Sequence, residues 1–169
     1  MNTKDIIRLA RDIKQSWKTN DPYKIAERLG IVVLHRSNNI KDFTAQTIKV
    51  DGYPTIISIN DAYTDFSKKV LCAHELGHAL LHGDCVNHFA ITSKNISSNV
   101  EQEANLFAIA LLSDNNIDFN LSIPLSRMNN YLLKSIMDYN IKKDKIWKLP
   151  HLHLLNAHMA VFVPQYFIY

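Results

Sequence analysis

A chain of 169 residues, 47% of them hydrophobic, is long enough to bury one sizeable core, and a net charge of +3 with scattered Lys and Arg is too weak a bias for direct nucleic-acid binding. No stretch approaches the roughly 20 apolar residues that span a bilayer, and the start, Met1-Asn2-Thr3-Lys4-Asp5, is not an apolar leader. Cys72 and Cys85 form no C-x-x-C pair, so the expectation is a reduced, cytoplasmic protein with no membrane partner, in which both cysteines are small buried side chains.

Ile6, Leu9, Ile13 and Trp17 recur at helical spacing and predict an amphipathic helix over 5–17, with Thr3 or Asp5 near its start. Asp21-Pro22 opens a second, short helix, with Asp as N-cap, Pro at the first helical position and Gly30 as the stop. Residues 31–35 are a β-branched run and predict a strand. Two further runs, 43–50 and 55–59, flank the turn signal Asp51-Gly52 and pair as a hairpin. Thr64 or Asp65 then caps a helix that Gly83 ends, and 84–95 is irregular. A further helix runs from Ser98 to near Ser113. Ser122-Ile123-Pro124 signals another, with Leu125, Met128, Leu132 and Ile136 as its stripe, and a last short helix over 141–149 stops at Pro150. The apolar tail 151–169 is assigned no element. The expected fold is α+β: a small, mostly antiparallel sheet of about three strands packed on two helices, with C-terminal helices. Residues 1–121 form the core, and 122–169 a helical segment packed on it.

The stretch 70–82, V-L-C-A-H-E-L-G-H-A-L-L-H, carries His74, Glu75 and His78 as H-E-x-x-H. Residues four apart on a helix share a face, with Cβ atoms roughly 5–6 Å apart, so two imidazoles can converge on one metal ion. Glu75 lies next round the helix, unsuited to be a third ligand but placed to take a proton from a water at that ion. Phe66, Val70, Ala73, Gly77 and Leu80 form an apolar face beside the histidines. Gly77 in mid-helix costs roughly 1 kcal/mol against alanine, which implies that something packs close to the backbone there.

A catalytic zinc site typically takes three protein ligands. His82 continues the histidine stripe but lies about 12 Å along the axis from His74, too far to share its ion, and reads as a supporting or core histidine. Asp84 would fit a helix broken by glycine three residues after His78, but residue 81 is Leu. Glu101 and Glu103 stand roughly 200° apart on the next helix, so one of them can face the histidines. Glu101 is favoured because it shares a stripe with Asn105, whose amide oxygen is suited to accept the free N–H of a ligating imidazole. Ser98-x-x-Glu101 also reads as a capping box, in which Glu101 only closes the helix start. The chemistry fits one Zn²⁺ per chain, with other divalent ions able to replace it.

The motifs I-A-E-R-L-G-I-V-V-L-H (25–35), I-I-S-I-N-D (56–61), C-A-H-E-L-G-H-A-L-L-H (72–82) and E-Q-E-A-N-L-F-A-I-A-L-L (101–112) together resemble the ImmA/IrrE metallopeptidases of bacteria, mobile elements and phages. The resemblance covers roughly 20–113. It implies His74, His78 and Glu101 as ligands, Glu75 as the catalytic glutamate, and a site-specific cut in a helix-turn-helix repressor. Leu112-Ser113-Asp114 departs from the family, which often has a small apolar residue and proline there. Zinc peptidases commonly lay substrate along a sheet edge, which makes the predicted sheet the expected peptide site. The rival reading is a non-catalytic anti-repressor that sequesters a transcription factor, against which an intact Glu75 argues.

Overall fold

The structure is a computed structural model and describes residues 1–37, 44–82, 88–89 and 98–113, together with Met128 and Leu133. The expected stop at Gly83, the candidate ligand Asp84, Cys85 and the tail 151–169 lie outside these residues, as do the C-terminal helices apart from Met128 and Leu133.

Helix α1 (Thr3–Trp17) is capped by Asn2, whose Oδ1 accepts from the Asp5 N–H at 2.9 Å, one residue ahead of the Thr3 expected near its start. It buries Ile6, Ile7 and Ala10. Helix α2 (Pro22–Arg28) has the expected Asp21 cap, with Oδ1 accepting from Tyr23 N–H at 3.0 Å. Gly30 follows with φ +70°, a conformation that favours glycine and turns the chain into β1 (Val32–Arg36).

Strands β2 (Ala45–Ile48) and β3 (Ile56–Asn60) pair antiparallel as the hairpin requires. β1 joins the other side of β3 in parallel, and a two-residue strand β4 (His88–Phe89) adds antiparallel to β2. The sheet order is β1-β3-β2-β4, small and mostly antiparallel. Ala45, Thr47, Ile57 and Ile59 are its buried side chains at paired positions on one face. The class is therefore α+β.

Helix α3 (Asp65–Leu81) is capped by Thr64 and packs on β2 and β3, on α2, and on α4 (Ser98–Leu112). Sandwiched in this way, its residues 70–78 are all buried, whereas Phe66 near its start is 44% exposed and lies off the expected apolar face. α1 packs on α4, so layers run from sheet to α3 to α4 to α1. The core joins Leu76, Phe107, Leu106, Leu111 and Ile6, with Met128 and Leu133 buried beside them.

Two lysines finish the long inner helices. Lys14 Nζ donates to Ala110 O at 3.2 Å and Ser113 O at 2.7 Å, and Lys49 Nζ donates to Ala79 O at 2.8 Å. The last carbonyls of a helix lack helical partners and carry its negative dipole end, so an ammonium meets both needs.

Gly77 explains how closely α3 and α4 approach. A Cβ built there would lie 3.1 Å from both Ala104 Cα and Ala104 O, and 3.3 Å from Phe107 Cδ1. Backbone atoms cannot step aside as a flexible side chain does. Gly77→Ala is therefore expected to cost a net of up to about 2 kcal/mol, overpacking of about 1–3 kcal/mol being offset by a helix-propensity gain of about 1 kcal/mol. The urea midpoint of the variant measures it.

Candidate metal centre

α3 puts His74 and His78 on one face, and the close α3–α4 approach at Gly77 brings Glu101 over them. The two Nε2 atoms lie 3.1 Å apart; Glu101 Oε1 is 3.4 Å from His78 Nε2, and Oε2 is 3.6 Å from His74 Nε2. Two imidazole nitrogens facing each other this closely share one proton or one cation, because two like charges or two lone pairs repel. Ligand atoms about 2.0–2.1 Å from a common tetrahedral centre are roughly 3.4 Å from one another, close to the separation of the two Nε2 atoms and to the distance from each of them to its nearer Glu101 oxygen. The three residues fit a divalent metal ion.

Electrostatics follow from that packing. Burial opposes charge on His74, but the Glu101 and Glu75 carboxylates and a hydrogen bond with Asn105 outweigh it and raise its pKa. Burial pushes the neighbouring His78 down to about 4, despite Glu101. Glu101 itself is held far below the usual carboxylate range: burial favours its neutral form, yet its bonds to His74 and His78 win. Burial lifts Glu75 to about 6 against the pull of His74 and of Thr47.

Glu75 is fully buried beside the cluster. Thr47 Oγ1, on β2, lies 2.8 Å from Glu75 Oε2 and 2.9 Å from Glu75 O, while Oε1 has no hydrogen-bond partner among the described residues. Asn105 is buried one turn beyond Glu101, with Nδ2 donating to Met128 O at 2.9 Å. Its amide is thereby oriented from behind, close enough to His74 to help raise that ring's pKa.

The other carboxylate on α4 faces elsewhere. Glu103 Oε2 is 2.9 Å from His82 Nε2, and its Oε1 accepts from the Met1 ammonium at 2.6 Å. The His82 ring lies 5.4 Å from the His78 ring, tilted by 50°, and sits outside the ligand triangle. Among the described residues no other cluster of three or more His, Cys, Asp or Glu could hold a metal.

A model of the IrrE N-terminal-like domain, Peptidase_M78, matches residues 26–116. The chain belongs to that family. The Peptidase_M78 match takes in all four strands, α3 and α4, whereas α1 precedes it and still packs on α4. Uncharacterized immunity region protein 2 of Bacillus phage phi105 is 33% identical over 101 residues, which is 58% of this chain and 61% of the phage protein. The chain thus spans about three fifths of that relative's length. No solved structure matches it. No helix among the described residues is long and apolar enough to cross a membrane.

Thr47 is a residue that the sequence reading of this Peptidase_M78 chain passed over. Its signal was a polar side chain at an inward position of an alternating strand. Cys72, two residues before His74, is fully buried and its thiol is pushed up to about 12 by desolvation first and by nearby carboxylates. About one molecule in 10⁴ is then thiolate at pH 8. Iodoacetamide on the native protein is expected to leave Cys72 unmodified for hours, and to alkylate it in urea, as peptide mass mapping would show.

Proposed function

We propose that the protein is a zinc-dependent endopeptidase making a site-specific cut in a protein substrate, a helix-turn-helix repressor. The observation that carries this reading is the His74, His78 and Glu101 triangle with the Glu75 carboxylate buried beside it, in a chain of the Peptidase_M78 family. The immunity-region name of the phage relative points to a repressor-linked substrate. His74, His78 and Glu101 would hold the ion. When bound, zinc supplies Lewis acidity, acidifying a water and polarising the scissile carbonyl. Glu75 takes the water's proton at Oε1, the oxygen without a partner among the described residues, and returns it to the leaving amine nitrogen. Asn105 orients the His74 ring. The substrate strand adds along the sheet at β4, the edge beside the β2 strand that holds Thr47. In this reading residues 1–121 are the cytoplasmic peptidase core, and the expected C-terminal segment 122–169 lies outside the described residues apart from Met128 and Leu133.

The test incubates the zinc-loaded protein with a panel of purified helix-turn-helix repressors. One discrete cut, read by intact mass and abolished by chelator, is expected. A protein that cannot be loaded with metal would overturn the reading in favour of a sequestering module, and a cut that persists in chelator would overturn the metal-dependent mechanism.

A further inference from the structure

β2 alternates buried and half-buried positions, and its inward face presents Ala45 and Thr47 to the helices. Apolar side chains normally fill such positions, because a buried hydroxyl must find a partner. Thr47 finds Glu75 twice: its Oγ1 reaches both the carboxylate Oε2 and the backbone carbonyl. A hydroxyl carries one proton, so it donates to one of these at a time, and either bond ties β2 to the same residue. A glutamate side chain has three rotatable bonds and loses free energy when held in one rotamer, unless a contact fixes it. Among the described residues, Thr47 is the hydrogen-bond partner of that carboxylate.

The geometry points to Thr47 as the positioning residue of Glu75: its hydroxyl grips Oε2 from the sheet side, so that Oε1 is the oxygen presented to the reacting water. This deepens the peptidase reading and rests on it for the role of Glu75. Serine in place of Thr47 preserves the donor. Valine preserves the shape and removes it.

The experiment is a double-mutant cycle on the zinc-loaded protein with acetohydroxamate as probe, read by titration calorimetry. A hydroxamate chelates zinc through its two oxygens and keeps a proton to donate to a neighbouring carboxylate. T47V is expected to bind the probe about ten-fold more weakly, the loss of one well-placed hydrogen bond. T47S should stay within about two-fold of the wild type, and T47V should add nothing in an E75A background. On a repressor that the wild type cuts, T47V should lower kcat by about 10²-fold with KM unchanged, as misplaced catalytic groups do. Unchanged hydroxamate affinity in T47V would overturn the assignment, and so would an equal loss with and without Glu75, which marks a merely structural role. If T47V does not fold, T47A enters the same cycle. A wild type that binds hydroxamate but cuts no repressor would remove the peptidase reading, while the cycle still decides whether Thr47 holds Glu75.

Discussion

Glu75→Gln is expected to keep one equivalent of zinc and to lose repressor cleavage by about 10³-fold, the size of effect that a positioned general base supplies. The amide has the volume of the carboxylate and can still accept from Thr47, so the packing of α3 against β2 survives. It has no basic oxygen to take a proton, so the chemical step fails while the site stands. Stability should hold or rise slightly, since a buried charge gives way to a neutral group. A cleavage time course by intact mass, with zinc by atomic emission and a melting curve, reads all three. An active variant would remove Glu75 from the mechanism.

Glu101→Ala should lose zinc, and Glu103→Ala should keep it. The two carboxylates are two residues apart on α4, yet Glu101 meets the His74 and His78 nitrogens whereas Glu103 meets His82 and the Met1 ammonium. A four-ligand structural zinc site is worth about 10–16 kcal/mol, so one ligand accounts for roughly 3 kcal/mol, about 10²-fold in affinity. Competition with a chromophoric chelator measures that drop. Glu103→Ala removes partly exposed ion pairs, and its effect should be confined to stability, at about 1 kcal/mol or less. Zinc lost equally from both variants would show that α4 sits differently over α3.

Local signals carried much of the secondary structure. Asp21-Pro22, the Asp51-Gly52 turn and the Thr64 cap each act within a few residues, and the elements beside them begin and end close to where those residues place them. Phe66 was misplaced for the opposite reason: its helical spacing matches the apolar face, but it lies at the end of α3, where little packs over it. The parallel pairing of β1 with β3 and the short β4 strand were not legible, since neighbours in a sheet are chosen by packing and not by adjacency in the chain.

By itself the sequence determined that His74 and His78 share a face with Glu75 beside them, because the 3.6-residue repeat is a property of the helix alone. It determined too that something must come close at Gly77. The tertiary structure decided what comes close. Ala104 of α4 lies against that glycine, and this contact turns toward the histidines the face of α4 that carries Glu101, the carboxylate its stripe with Asn105 had favoured, and turns Glu103 toward His82. It also decided that a hydroxyl from β2 would reach the Glu75 carboxylate. Both results depend on the register between elements far apart in the chain, and register is settled only when a common core is packed and its buried polar groups are paired.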